Sequence, residues 1–334
     1  MMVSIETRGT NFLNDQWACA TIPGDINPDP TMLFKTMTSG KWRRSALDDA
    51  SRRDIQDKIE HAISKDAAIE FSVPFGGYKS WTLHSYPHLN WADVFAVNFL
   101  RRFGEDVAQF GRCKVVITFS YCSGVMDLVN NMRLDEQDLY TREFQKLLDA
   151  FSDSRVQMAL FDIADKFRSL DALRERVRDG ASVVSQGWET LDQGARLKRL
   201  RSAERNLQRN GVEDLRALDE QELESRIERS AMFCEALDCL PERREFNKFS
   251  SRIQLVHVRG PTPSIHLASC DTSSNHFGVG DGVVEVRRDR CLQRIVTGGI
   301  PENSVELDLQ SEERLTRGFA GLGTAHLIDA TTSR

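Results

Sequence analysis

The feature that most restricts the fold is an alternation. Runs of β-branched and aromatic residues at Ala68 to Val73, Val115 to Phe119 and Val156 to Phe161 are each followed by a stretch with helical apolar spacing. A chain that passes from strand to helix three times in succession can bury both kinds of apolar face by pairing its strands in parallel, with the helices as right-handed crossovers. The run Val115-Val116-Ile117-Thr118-Phe119 has the clearest β-type composition and is expected at the centre of the sheet. Pro74 should end the first strand, because proline cannot donate to the ladder.

The helices carry their own signals. Asn90 can cap the helix after the first strand, with Asp93 placed to reach back to the cap, and Trp91, Val94, Phe95, Phe99 and Phe103 form its buried face. After the second strand Asp135 is the expected cap of a helix in which Tyr140, Phe144, Leu147, Leu148 and Phe151 recur at i, i+4, i+7, i+8 and i+11. Asp162 with Asp165 repeats the arrangement ahead of Ile163, Phe167, Leu170 and Val177, and Ile55, Ile59 and Ile63 mark a further helix between Ala46 and Ser64.

Composition shifts divide the chain. Residues 1–45 read as an N-terminal arm rich in turn chemistry with a short helix around Met32 to Met37, and residues 46–164 as the first part of an α/β core. From 165 to 248 Arg and Glu become dense, which predicts a charged helical insertion, either a solvated face or a surface for a partner. Residues 249–334 are a β-rich part completing the core, with short strands at Ile253 to Val258, Ile265 to Ala268 and Val283 to Val286; the tail after Pro301 reads as polar and turn-rich until Leu315.

Charge and cysteines exclude several classes. Lys plus Arg at 44 against Asp plus Glu at 50 gives a net charge of -6, which argues against a nucleic-acid partner because phosphate neutralisation needs a basic field. Cys19, Cys113, Cys122, Cys234, Cys239, Cys270 and Cys291 are odd in number and show no C-x-x-C pair, so neither a disulfide framework nor a zinc site is expected and a reducing cytoplasm fits. No apolar run is long enough to span a bilayer, so no membrane partner is expected. Metal signatures, a Walker loop and a nucleophile elbow are all missing, and the chain is expected to work without metal or cofactor.

Three constellations could carry chemistry. The loop from Phe75 to His88 gathers Gly76, Gly77, Tyr78, Lys79, His84 and Tyr86 at a strand exit. Adjacent glycines let backbone amides approach an anion, and Lys79 could pair with a carboxylate or phosphate or act as an amine nucleophile. Tyr78 and Tyr86 would line such a site, with His84 as a proton carrier; the structural alternative is a surface loop in which Trp81 and Tyr86 pack and His84 and His88 are solvated. The second strand exits into Ser120-Tyr121-Cys122-Ser123-Gly124, followed by Asp127, Asn130, Asn131 and Arg133. If the strands are parallel, Ser120 and Ser123 face the Lys79 loop, and Asn130, Asn131 and Arg133 could hold a carboxylate. Cys122 has no base beside it in sequence. The third is the glycine-rich Asn275 to Gly282, with His276 as an acid or base and Arg252, His257, Arg259 and His266 upstream; it opens no helix, which argues against a dinucleotide fingerprint.

The order of these parts resembles the isonitrile synthase family, also called the pyoverdine and dityrosine biosynthesis family. The resemblance runs from Ile69 to Phe161 and lies in the strand ending Pro74-Phe75 ahead of Lys79, the Trp91-Ala92-Asp93 helix, the strand entering a Ser/Gly loop, and the helix that carries Asp135 and Tyr140. It implies a Rossmann-like, mainly parallel α/β body that joins an amino acid to a pentulose phosphate, with a lysine after the first strand, here Lys79, in the active site. The family's Ser-Asp-Gly after the second strand is replaced by Ser120-Tyr121-Cys122-Ser123-Gly124, and Gly76-Gly77-Tyr78 interrupts the spacing from Phe75 to Lys79. The broader expectation is a divergent relative acting on an amino-acid-like small molecule, with Lys79 able to form a Schiff base with a ketose. An interaction module using the charged helices is an alternative, as is a transferase with a nucleotide-activated donor and a phosphate site at Gly278 to Gly282.

Overall fold

The computed structural model describes residues 29–111, 113–211, 215–243, 251–257, 262–269, 277, 283–287, 292–296, 302, 304–307, 319, 322 and 325–329. The alternation becomes β1 (Ile69–Pro74), β2 (Val115–Tyr121) and β3 (Val156–Asp162), joined by α3 (Trp91–Gly111) and, between β2 and β3, by α4 (Met126–Asn130) and α5 (Leu134–Phe151). Ahead of them stand α1 (Pro30–Met37) and α2 (Asp49–Ser64), capped by Asp29 and Asp48. The three strands pair in parallel, Ile69 beside Val115 and Val115 beside Val156. Two later strands, β4 (Ile253–Val256) and β5 (Ile265–His266), extend the sheet on the far side of β1, also in parallel, giving the order β3-β2-β1-β4-β5. This is a Rossmann-like α/β fold with β1 rather than the Val115 run at the centre.

Apolar periodicity explains the core. Phe71, Val73, Ile117 and Phe119 are fully buried against Phe103, Tyr140, Phe144 and Leu148, the helix positions that the spacing assigned. Both helix signals around Asp135 and Asp162 need correction. Residue Arg133 stands at the N-cap of α5 and Asp135 lies inside its first turn, paired with Arg133. Asp162 caps only a 3-10 turn, Ile163–Lys166, and the next long helix starts later, behind Ser169.

Three helices follow β3: α6 (Leu170–Trp188), α7 (Gln193–Asn210) and α8 (Glu220–Asp238). Much of their charge is spent on one another, as in the two-pronged contact of Arg199 with Glu235 at 2.7 and 3.0 Å and the contacts of Arg196 with Glu189 and Glu228. Their apolar stripes meet residues of the β2 exit in a second core that contains Cys122, Val125, Met126, Val129, Leu173, Val177 and Leu237. Arg174 of α6 fixes that exit by a bidentate pair with Asp127, at 2.8 and 2.7 Å, so Asp127 is a structural anchor.

Within the stretch from Pro301 to Leu315 expected to be turn-rich, Val305–Leu307 is a strand. Strands β6 (Val283–Arg287), β7 (Leu292–Val296), β8 (Val305–Leu307) and β9 (Ala325–Asp329) form a separate sheet ordered β7-β6-β9-β8, which lies against α3. Strands of only 3 to 5 residues carry little periodicity, which is why sequence reading passed over three of the four.

Candidate functional site

In open parallel sheets, ligands bind beyond the carboxyl ends of the strands where the strand order reverses. Here the reversal falls between β1 and β4, but that crevice is filled. Phe277 packs against Phe75, Phe119, Phe144 and His257 at centroid distances of 5.8, 5.4, 5.4 and 5.9 Å. Space opens instead one strand over, beyond the ends of β1 and β2, as a cavity of about 270 Å³. Its floor is Pro74, Phe75 and Gly76 from the β1 exit and Ser120, Tyr121 and Cys122 from β2, and its far wall is Asn206, Cys234, Leu237 and Asp238 from the charged helices, with Arg243 just after them. The helical segment is therefore one wall of the cavity.

Glycines make the floor possible. Gly77 adopts φ +72, and a Cβ there would lie 2.7 Å from the Tyr121 ring, so only glycine lets the β1 exit turn this tightly over β2. On the opposite wall Gly211 ends α7 against the Asn130 carbonyl, where a Cβ would sit 2.9 Å from that oxygen. Ser230 of α8 donates to the Val129 carbonyl at 2.6 Å, and the Ser80 hydroxyl donates to the Arg209 carbonyl. These contacts clamp the helices onto the loop and onto α4.

The polar groups of the cavity divide by role. Asn130 is 2 % exposed and its side-chain carbonyl oxygen has no protein partner, a costly arrangement for a buried acceptor. Around it stand protonated donors. Burial pushes the Tyr78 phenol up to about 12 and, reinforced by the Asp162 carboxylate, the Cys122 thiol up to about 12. Burial and then Asp238 do the same to Cys234. Cys122 is thus a neutral thiol at neutral pH, ill-suited to act as a nucleophile. The cavity offers one unmatched acceptor, several neutral donors and the charged pair Arg243–Asp238.

The sequence-based site residues separate. Tyr78, Ser120 and Asn130 line the cavity together. Ser123 does not; its backbone amide is held by Asp162 at 3.0 Å. Asn131 ends α4 in the left-handed region at φ 52, outside the lining. Arg133 is exposed and paired with Asp135 at 2.9 Å, so it orients no ligand in this cavity. Arg252 sits beside Glu70 near the start of β1, at the opposite end of a parallel sheet, too far along the strands to serve a site at their carboxyl ends. His84 is exposed, and Tyr86 donates its hydroxyl to Glu136 instead of facing the cavity. His276 lies outside the described residues, as does the Gly278 to Gly282 stretch.

Lys79 stands apart from the cavity. Its side chain is wholly buried and its Nζ lies 2.5 Å from Asp93 Oδ2. The other Asp93 oxygen accepts from the Tyr140 hydroxyl at 2.9 Å, and the Asn90 amide donates to Oδ2 at 3.0 Å. Lys79 is absent from the cavity lining. Its place is structural: with Thr141 Oγ1 donating to the Gly77 carbonyl at 3.1 Å and His88 Nδ1 2.8 Å from Glu143, it fastens the loop between β1 and α3 to α5.

Sequence reasoning missed Asn206, Cys234, Leu237, Asp238 and Arg243. The signal was the apolar run Ala231-Met232-Phe233-Cys234 inside an otherwise charged stretch, which marks a buried helix face.

The class that fold and cavity define is a Rossmann-like α/β protein with a cavity at the carboxyl edge of its sheet. Among solved structures, the PvcA protein from Pseudomonas aeruginosa shares this fold with a TM-score of 0.63 at 15% identity, over 90% of this chain and 99% of that one. No family model matches the sequence, and no curated protein does.

Proposed function

We propose that this chain is a biosynthetic enzyme of specialised metabolism, isonitrile-synthase-like, that acts on an amino acid or amino-acid-like substrate in the cavity beyond β1 and β2. The observation that carries the reading is the cavity itself, which is lined by Asn130, whose buried side-chain carbonyl has no partner, and by Arg243, which offers a charge to an acid. An amino acid supplies both a donor and an acid. Support also comes from the Ile69 to Phe161 resemblance to the isonitrile synthase family and from the fold shared with PvcA along nearly the whole of both chains.

In this reading Tyr78, Ser120 and Asn130 hold the substrate, and Lys79 acts at a distance by setting the loop that carries Tyr78. A pentulose phosphate is the candidate second substrate: condensation of the substrate amine with its ketone carbonyl forms the C–N bond and releases the carbonyl oxygen as water. Among the described residues no helix is long and apolar enough to cross a membrane.

The test is mass spectrometry of the protein incubated with pooled amino acids, with and without ribulose 5-phosphate. Depletion of one amino acid with appearance of a new mass is expected; no depletion under either condition removes the enzyme reading.

A further inference from the structure

Arg243 is the sole cation among the described residues that line the cavity. It lies beyond the end of α8 at Asp238, and its Nη1 is 2.9 Å from Asp238 Oδ1. The two partners differ in setting: the Arg243 side chain is 31% exposed and that of Asp238 is 65% exposed. An ion pair whose acid is mostly in water contributes little and exchanges readily, whereas a guanidinium at a cavity mouth has a planar fork suited to a carboxylate or phosphate. The guanidinium charge also acts on Tyr78, Cys122 and Cys234, cavity residues of the β1 exit, the β2 exit and α8. Asn130, whose buried side-chain carbonyl oxygen has no protein partner, lines the same cavity.

We propose that Arg243 anchors the acid group of the ligand and that Asp238 is a resident counter-ion which that acid group replaces. This rests on the reading that the cavity is the substrate site. The ligand class is an anion with an N–H or O–H donor within the same small molecule, the donor meeting Asn130. The anion is either the carboxylate of an amino acid or the phosphate of a sugar phosphate, and Asp238 makes the site selective by competing with weak or poorly placed anions.

Calorimetric titration of the full chain with the individual amino acids, their amides, inorganic phosphate and ribulose 5-phosphate tests this in wild type, Arg243→Gln, Arg243→Lys and Asp238→Asn. Wild type is expected to bind an acid at least about 10-fold more tightly than its amide, and Arg243→Gln to lose about 10- to 100-fold for the acid and nothing for the amide. Arg243→Lys should fall between the two, and Asp238→Asn should bind the acid several-fold more tightly. If Arg243→Gln does not fold, the opposite movements of Arg243→Lys and Asp238→Asn decide the matter. Arg243-dependent binding of amino acids assigns the anchor to a carboxylate; the same dependence with phosphate and ribulose 5-phosphate alone assigns it to the sugar phosphate. Equal affinity for acid and amide, an unchanged Arg243→Gln, or no binding of any of these compounds overturns the anchor. Amino-acid depletion that survives Arg243→Gln sinks the anchor and keeps the enzyme reading. Arg243-dependent anion binding without any depletion does the reverse.

Discussion

Asp93 is where the local and the long-range demands on this chain coincide. Its carboxylate completes the cap of α3, with Asn90 Oδ1 accepting in return from Ala92 N at 2.9 Å, and it also neutralises Lys79 and accepts from Tyr140. The cap was legible, because Asn90 and Asp93 stand at capping-box spacing ahead of an apolar run. Its second task was not, since a partner brought in from a preceding loop leaves no periodic trace. A buried ion pair that loses one member leaves an uncompensated charge, so Lys79→Met is expected to lower the unfolding free energy by about 3–5 kcal/mol. Urea denaturation followed by circular dichroism reads this. Unchanged stability together with lost turnover would return Lys79 to a catalytic role.

Among the elements, those with unbroken periodicity were legible: β1, β2, β3, α3 and α5 all form from the runs that announce them. The charged helices were legible as helices but not as a cavity wall, because a few apolar positions such as Cys234 and Leu237 decide which face turns inward. The end of β4 shows how burial couples an element to pH. His257 is buried against Phe277, its Nε2 lies 3.1 Å from Ser269 Oγ, and burial, with His266 nearby, lowers its pKa from 6.5 to about 3. The folded state therefore keeps the ring neutral while the unfolded chain takes up a proton below pH 6.5. The resulting stability is fully present above pH 6.5 and is lost as pH falls from 6.5 towards 3. Urea midpoints measured from pH 7 downward should show a fall of at most about 1.4 kcal/mol per pH unit from this one group, and His257→Gln should flatten that limb. An equally steep limb in the variant would show that the proton is taken up elsewhere.

For the molecule as a whole, the two cores explain why the cavity lies where it does. One core joins the sheet to α1, α2, α3 and α5; the other joins the β2 exit and α4 to α6 and α8. The seam between them passes over the ends of β1 and β2, and the cavity is the part of that seam left open by Gly76, Ser120 and Asn130. The most direct test of the central claim sets wild type beside Cys234→Phe, which fills the cavity from the helical wall, in the mass-spectrometric assay with pooled amino acids and ribulose 5-phosphate, each protein's melting temperature being recorded in parallel. Wild type is expected to deplete one amino acid and the folded variant to deplete none. Equal depletion by both proteins, or none by wild type, would contradict the account.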